Sequence, residues 1–187
     1  MSEPSSDITS RLVSREEYRA WCAQQPRGRF ERIDGRIVRM AAERVAHARV
    51  KFTVCLALQR ALAVAGVNYE AFTDGITVET GDHDFEPDAL VNCGPPLDPN
   101  VIAATNPVIV VEVTSPSTEV NDGTTKIEGY FQVPSINHYL IVHPTRRRVI
   151  HHRRTADHIA TAIFATGPVP LDPPGITVTV EELFGGV

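Results

Sequence analysis

The stretch from Pro107 to Tyr130, PVIVVEVTSPSTEVNDGTTKIEGY, decides how the rest of the chain is interpreted. Its first part, Val108 to Val111, is a short apolar run of β-branched residues, which is typical of a strand buried on both faces. Glu112 ends this run. A buried carboxylate is costly unless a cation or a hydrogen-bond donor compensates it. We therefore expect Glu112 to be either ion-paired or functional.

A helix is predicted after the turn residues that follow this strand. It carries Asp122, Lys126 and Tyr130 at four-residue steps, which places the three side chains on one helical face. The next apolar run, Ile136 to His143, predicts a second buried strand. Strand, helix and strand within about 35 residues make a βαβ unit with a right-handed crossover. The two strands are thus expected to be parallel.

The composition of the chain is that of an ordinary globular protein. It has 187 residues, 42% of them hydrophobic, so we expect a disordered tail at residues 1–10 and a single domain at residues 11–187. No apolar run approaches the length of a membrane span, and the polar N-terminus does not resemble a secretory signal. The three cysteines are far apart and are expected to be free thiols in the cytoplasm.

The basic residues are distributed unevenly. The net charge of −5 argues against nucleic-acid binding by the whole surface. Sixteen of the basic residues are arginines and only two are lysines, Lys51 and Lys126. Five arginines lie within residues 146–154 and form a local basic patch. This patch is interpreted either as a solvated hairpin or as an edge that contacts phosphates.

Local patterns predict the remaining elements and, with them, the fold class. They are a helix at 15–23 capped by Ser14, a hairpin at 29–40 about Asp34-Gly35, a long helix at 43–65 ended by Gly66, strand-like pieces at 69–72 and 76–79, a strand at 85–92, antiparallel strands at 148–152 and 158–164, a proline-rich loop at 167–175, and a strand or helical turn at 178–184. We conclude that the fold is α/β, with a central mixed β-sheet flanked by helices.

Two acidic residues on neighbouring buried strands form the first candidate site. Asp88 follows Pro87 at the start of one buried segment, and Glu112 ends the other. Mg²⁺ prefers oxygen ligands, and such an ion activates water and neutralises charge on a phosphate. Lys126 could orient that water or stabilise the developing charge, and Glu31 could supply another oxygen. The alternative is a buried ion pair between Lys126 and one of the two acids, with no metal.

The motifs, taken in order, resemble the PD-(D/E)XK signature of restriction-endonuclease-like nucleases. More narrowly, they are similar to the Uma-two family of bacterial proteins, and the resemblance spans about residues 12 to 184. The matching features are Glu31, Asp34-Gly35, Met40, His47, Pro87-Asp88, Val111-Glu112-Val113, Ser115-Pro116-Ser117-Thr118, Asp122, Lys126, Tyr130 and His143-Pro144.

This resemblance implies a metal-dependent nuclease core. Asp88 and Glu112 would bind Mg²⁺ (or Mn²⁺) with help from the backbone carbonyl of Val113, while Lys126 would be the catalytic lysine and Glu31 an additional acidic residue. The chain departs from the general nuclease pattern at the third position of the E-x-K motif, which is Thr114. The resemblance implies that Lys126, on the following helix, takes the place of the lysine missing at this position.

Three further residues are candidates for supporting roles. Tyr130 is expected to pack its ring against the sheet and to point its hydroxyl toward polar neighbours. His47 either caps the long helix or approaches the acidic cluster. Asp122 is either the N-cap of the helix that carries Lys126 or a catalytic group.

Three functional hypotheses follow from these observations. The first is a Mg²⁺-dependent endonuclease that hydrolyses phosphodiester bonds of DNA by water attack. The second is a binding or regulatory module that keeps the nuclease fold but cleaves poorly. The third is a structural homodimer in which apolar edge strands after Arg148 pair between chains.

Overall fold

A computed structural model describes residues 8–114 and 123–185 of the chain. Within these residues the helices are α1 (Arg15–Cys22), α2 (Val45–Ala65), α3 (Gly123–Gln132) and α4 (Val180–Leu183), and a 3₁₀ turn spans Ile8–Ser10. The strands are β1 (Phe30–Ile33), β2 (Arg36–Arg39), β3 (Glu70–Thr73), β4 (Val78–Glu79), β5 (Asp84–Phe85), β6 (Ala89–Asn92), β7 (Pro107–Val113), β8 (His138–His143), β9 (Arg148–Arg154), β10 (Ile159–Phe164), β11 (Pro168–Leu171) and β12 (Ile176–Thr179).

A six-stranded mixed sheet lies at the centre, in the strand order β10-β9-β8-β7-β6-β3. Strands β7 and β8 are parallel and α3 connects them, while the other pairs are antiparallel. This arrangement confirms the predicted βαβ unit and the predicted central mixed sheet. Strands β1, β2, β4 and β5 form a smaller sheet in the order β2-β1-β5-β4, and β11 pairs with β12.

The two faces of the central sheet bury different elements. On one face, helix α2 and the β11–β12 hairpin pack on side chains such as Val111 and Leu140. On the other face, helix α3 and the small sheet pack on Val110 and Tyr139. Because successive side chains of a strand point to opposite faces, Glu112 lies on the same face as Val110, under α3. The alternation along β7 therefore fixes which helix the Glu112 carboxylate meets.

Several predicted boundaries are confirmed by local geometry. Ser14 and Glu17 form a capping box at the start of α1. Asp34 and Gly35 have φ angles of 49° and 69°, as the tight turn of the β1–β2 hairpin requires. Helix α2 ends at Gly66, which adopts the left-handed conformation with a φ of 66°.

Two segments differ from their predicted structure. The strand predicted at 85–92 is divided into β5, in the small sheet, and β6, in the central sheet. Pro87 lies between them, and proline lacks the N–H group that a continuous ladder needs. The segment predicted as a proline-rich loop contains strand β11, which pairs with β12 and buries Val169 and Leu171. The segment predicted at 178–184 is the end of β12 followed by α4.

Strand β10 forms one edge of the central sheet and carries no charged residue. Its Ile163 side chain is exposed. The pairing of chains through this region stays a prediction. In the described parts of the chain, no helix combines the length and apolar character that crossing a bilayer requires.

Helix α3 approaches the small sheet closely at Gly129. A Cβ atom on Gly129 would lie 2.5 Å from the Cε2 atom of Phe85 and 3.1 Å from the Cδ2 atom of His83. The Phe85 ring is fully buried and packs between the rings of His83 and Tyr130, at centroid distances of 4.8 Å and 4.9 Å. The ring therefore has little room to move, and only glycine allows this helix–sheet distance.

We predict that Gly129→Ala destabilises the protein. Overpacking costs about 1–3 kcal/mol and the helix propensity of alanine returns about 1 kcal/mol, so we expect a net loss of about 1 kcal/mol. Urea denaturation followed by circular dichroism measures this difference. The control is Gly81→Ala, whose new Cβ would meet a single side-chain atom at 3.4 Å. Equal stability of the two variants would contradict the close approach at Gly129.

Candidate active site

One cluster of polar side chains surrounds the carboxylate of Glu112. The Nζ atom of Lys126, on α3, lies 2.8 Å from Glu112 Oε1 and 3.2 Å from Glu31 Oε1 on β1. The hydroxyl of Tyr130, one turn further along α3, donates to the same Glu112 oxygen at 2.6 Å. The four-residue step between Lys126 and Tyr130 thus brings both donors to one carboxylate.

Burial controls the ionisation of this cluster. Burial raises the pKa of Glu112 to about 7, Lys126 acts in the opposite direction, and the nearby carboxylates of Asp88 and Glu31 raise it further. Burial lowers the pKa of Lys126, but the carboxylates of Glu112 and Glu31 outweigh burial and raise that pKa above its usual value. Lys126 is therefore a cation at neutral pH.

A second cluster surrounds Asp88, which immediately precedes β6. The backbone N–H of Val113 donates to Asp88 Oδ2 at 2.7 Å, and this bond ties Asp88 to the end of β7. The Nε2 atom of His47, on α2, lies 2.7 Å from the Val113 carbonyl oxygen and 3.5 Å from Asp88 Oδ2. The carboxylate of Asp88 raises the pKa of His47 to about 9, against the effect of burial. His47 is therefore an imidazolium that contacts the acidic centre.

Lys51 is a further buried cation at this centre. Its Nζ atom lies 3.6 Å from Asp88 Oδ1 and 2.5 Å from Glu43 Oε1, and it also donates to Asp74. Burial lowers the pKa of Lys51, but the hydrogen bonds to Asp74 and Glu43 outweigh this effect and raise it. Both lysines of the chain thus lie buried against the predicted metal-binding acids.

Further ion pairs connect the cluster around Glu112 with the cluster around Asp88. Arg29 contacts Asp74 at 2.6 Å and Glu86 at 2.9 Å. The backbone N–H of Glu86 donates to Glu31 Oε1 at 2.9 Å. Since Asp74 also binds Lys51, the polar contacts run continuously from the Glu31 side to the Asp88 side. Changing one of these charges is therefore expected to affect its neighbours.

The structure brings together candidate residues from β1, α2, β7 and α3 and from the position directly before β6. Those it places in the two clusters are Glu31, His47, Asp88, Glu112, Val113, Lys126 and Tyr130. Asp122 and the Ser115–Thr118 motif lie outside the described residues. The Tyr130 ring packs in the core with its hydroxyl on a carboxylate, as predicted.

Sequence reasoning missed the role of Lys51 as a partner of Asp88. Two signals point to it. Lys51 is one of only two lysines, and it follows His47 by four residues on α2, so both side chains share a helical face. A basic residue placed on the apolar side of a long helix requires an acidic partner.

The third position of the E-x-K motif also has a structural role. The Thr114 hydroxyl shares a 2.9 Å hydrogen bond with Nδ1 of His143, at the end of the neighbouring parallel strand β8. The backbone N–H of Thr114 donates to the carbonyl of Val142 at 2.9 Å, which continues the β7–β8 ladder by one residue. Thr114 thus joins the ends of the two strands, while a lysine reaches Glu112 from α3.

Comparison with known proteins agrees with this arrangement. A family model described as "Putative restriction endonuclease", Uma2, matches residues 15–183 of the chain. The proteins sll1609 and slr1290 of Synechocystis sp. (strain ATCC 27184 / PCC 6803 / Kazusa) are each 27% identical to it, over 80% and 94% of this chain and 85% and 93% of their own lengths.

A crystal structure of a protein described as a putative nuclease belonging to DUF820, from Anabaena variabilis, superposes with a TM-score of 0.68. The superposition covers 87% of this chain and 94% of that one, at 17% sequence identity. The fold is thus a nuclease-like mixed α/β fold, as the sequence predicts. The chain belongs to the Uma2 family of putative restriction endonucleases.

We predict that Lys126→Met raises the pKa of Glu112. The substitution removes the cation that lowers this pKa, so in the metal-free protein the Glu112 carboxyl should titrate above its present value of about 7 and be mainly protonated at pH 7. NMR titration of ¹³C-labelled glutamate carboxyl groups in EDTA measures the change.

The control for this titration is Lys51→Met, which removes a cation that contacts Asp88 instead of Glu112. Its effect on the pKa of Glu112 should be smaller. A pKa that stays constant or falls in Lys126→Met would show that Lys126 does not stabilise the Glu112 carboxylate.

Proposed function

We propose that this protein is a divalent-metal-dependent endonuclease that hydrolyses phosphodiester bonds of DNA. The observation that carries this proposal is the convergence of two acids and one helix lysine at the end of β7: Glu112 in β7, Asp88 directly before β6, and Lys126 in α3. Asp88 is tied to the Val113 backbone, and Lys126 binds Glu112, the residue next to Val113. Membership of the Uma2 family supports the same reaction class.

The donor atoms at this place suit a hard divalent cation. Within residues 8–114 and 123–185, no group of three or more His, Cys, Asp or Glu side chains could hold a metal ion. The proposed ligand set is therefore smaller and consists of two carboxylates and one backbone carbonyl. An ion here would bind the carboxylates of Asp88 and Glu112 and the Val113 carbonyl, and would keep several waters. Mg²⁺ and Mn²⁺ accept such an oxygen set, since Mg²⁺ uses one or two protein carboxylates in many phosphate-processing sites. When bound, the ion would supply an activated water and neutralise phosphate charge.

The Lys126 ammonium group would act electrostatically. Its raised pKa keeps it protonated at neutral pH, so it is unsuited to accept a proton from water. A fixed cation beside Glu112 can instead stabilise the negative charge that develops on the phosphate in the transition state. Lys126 is nearly buried, with 7% of its surface exposed, and this low exposure strengthens the electrostatic interaction.

Glu31 and Tyr130 would position the catalytic groups. Glu31 accepts from Lys126 and from the backbone N–H of Glu86, so it fixes the end of the lysine side chain. Tyr130 is fully buried and donates to Glu112, which restricts the rotation of that carboxylate. Restricting these rotations before the substrate binds reduces the reorganisation that the reaction requires.

A second candidate function is a DNA-binding module that does not cleave. The observation that favours it is that Asp88 already contacts two cations of the chain, His47 and Lys51. These cations compensate the buried carboxylate without a metal. In that case the two clusters would be structural ion pairs, and the basic residues at the end of the sheet would carry the function.

We predict that purified protein nicks supercoiled plasmid DNA in the presence of Mg²⁺ and that site variants do not. Asp88→Asn, Glu112→Gln and Lys126→Met should each lower the rate by about 100-fold or more, because each removes a group that binds the ion or stabilises charge. Gel electrophoresis of the plasmid over time measures the rate.

The control for the nicking assay is Arg60→Ala, an exposed residue of α2. It should nick at the wild-type rate. If the wild type and all site variants nick equally, the activity is a contaminant and the proposal fails. If no Mg²⁺-dependent nicking occurs at protein excess while the protein binds DNA, the non-cleaving module is the correct function.

A further inference from the structure

A row of polar residues lies beside Glu112 at the end of the central sheet. In the strand register, Glu112 pairs with Ile141 of β8, and Ile141 pairs with Ile150 of β9. Two residues further along, His143 of β8 pairs with Arg148 of β9. Thr114, which directly follows β7, is joined to His143 by a hydrogen bond. Side chains two residues apart in a strand share a face. The three residues Thr114, His143 and Arg148, here called the end row, therefore lie on the same face as Glu112.

The end row is fixed in place by the ladder and by its own contacts. Thr114 is held by its backbone bond to Val142 and by its hydroxyl contact with His143. Arg148 lies at the exposed start of β9, opposite His143. Two strand spacings of about 4.8 Å each separate Thr114 from Arg148, so the row is about 10 Å long. DNA rises about 3.4 Å per nucleotide along its axis, so this length corresponds to about three nucleotides.

The positive charge of Arg148 in the end row suits the binding of DNA, whose phosphates must approach the acidic residues Asp88 and Glu112. The protein as a whole has a net charge of −5, and such a charge repels phosphates at long range. The β8–β9 turn next to the row adds two exposed arginines, Arg146 and Arg147. Arg147 is held over the ring of Phe184, with its guanidinium carbon 5.3 Å from the centroid. Phe184 packs with the core on the α2 face of the sheet, so Arg147 is directed away from the end row, and the positive charge of the row itself comes from Arg148.

We propose that the end row binds the phosphates of the DNA strand next to the bond that is cleaved. This inference rests on the proposed nuclease function, and it identifies the surface that holds the substrate. Arg148 contacts a phosphate directly, and Thr114 positions His143 beside the neighbouring phosphate. It also gives Thr114 a function: at the third position of the E-x-K motif the hydroxyl orients a substrate-binding residue, and Lys126 supplies the cation from α3.

Binding of a duplex without metal tests this surface independently of cleavage. The probe is a fluorescein-labelled 20-base-pair DNA in EDTA. Its binding is measured by fluorescence anisotropy at about 50 to 200 mM NaCl. We predict that Arg148→Ala weakens binding by roughly fivefold and lowers the slope of log K against log salt by about 0.9, the value for one phosphate contact.

The matched control is Arg60→Ala, which removes the same charge from an exposed position on α2. Arg60 lies 13 residues after His47, roughly 20 Å along the helix axis. Arg60→Ala should bind like the wild type. Equal loss in both variants would mean that only the overall charge matters, and absence of wild-type binding would also overturn the proposal. Tighter binding of an RNA duplex than of the DNA duplex by the wild type would overturn the assignment to DNA.

Thr114→Val and Thr114→Ser test the second part of the row. Valine keeps the shape of threonine but loses the hydroxyl that contacts His143, so it should weaken DNA binding, and serine should restore it. Equal affinities in the two variants would remove Thr114 and His143 from the binding surface. Melting temperatures of all variants separate these effects from unfolding. If binding responds as predicted while plasmid nicking is absent, the nuclease function fails and the binding surface remains.

Discussion

The buried carboxylate of Glu112 is the constraint on which the surrounding structure depends. It is the penultimate residue of β7, whose other side chains are apolar, so its charge has to be compensated by the protein. Helix α3 supplies this compensation through Lys126 and Tyr130, and Gly129 on the same helix allows it to pack closely on Phe85 of the small sheet. The charge compensation at Glu112 therefore depends on how α3 packs, since a shift of the helix would leave Glu112 without its donors.

Asp88 is the second buried carboxylate whose charge the protein compensates. Its partners and those of Glu112 both lie at the end of β7. The Val113 N–H group holds one oxygen of Asp88, while His47 and Lys51 approach from α2. Glu112 is thus paired with a cation from α3, and Asp88 with two cations from α2. The buried ion pair between Lys126 and Glu112, which is the alternative to a metal site, is present, and the metal site stays a proposal.

Much of this architecture follows from the sequence, and the failures have physical causes. The alternation along β7 and the four-residue steps of α3 predict the contact of Glu112 with Lys126 and Tyr130, because both periodicities are local. The role of Lys51 depends on the packing of α2 against Asp88 and Asp74, a contact between residues distant in the chain. Likewise, the division of the strand at 85–92 between two sheets depends on tertiary pairing, although Pro87 marks the place.

The measurement that tests the central claim most directly is a crystal structure of the protein soaked in Mn²⁺, recorded for the anomalous signal of manganese. The account predicts one strong peak in contact with carboxylate oxygens of Asp88 and Glu112 and with the Val113 carbonyl. The peak should be absent from crystals of Glu112→Gln grown and soaked in the same way. Saturating Mn²⁺ with no peak between these two acids, and with their ion pairs to His47, Lys51 and Lys126 unchanged, would contradict the account.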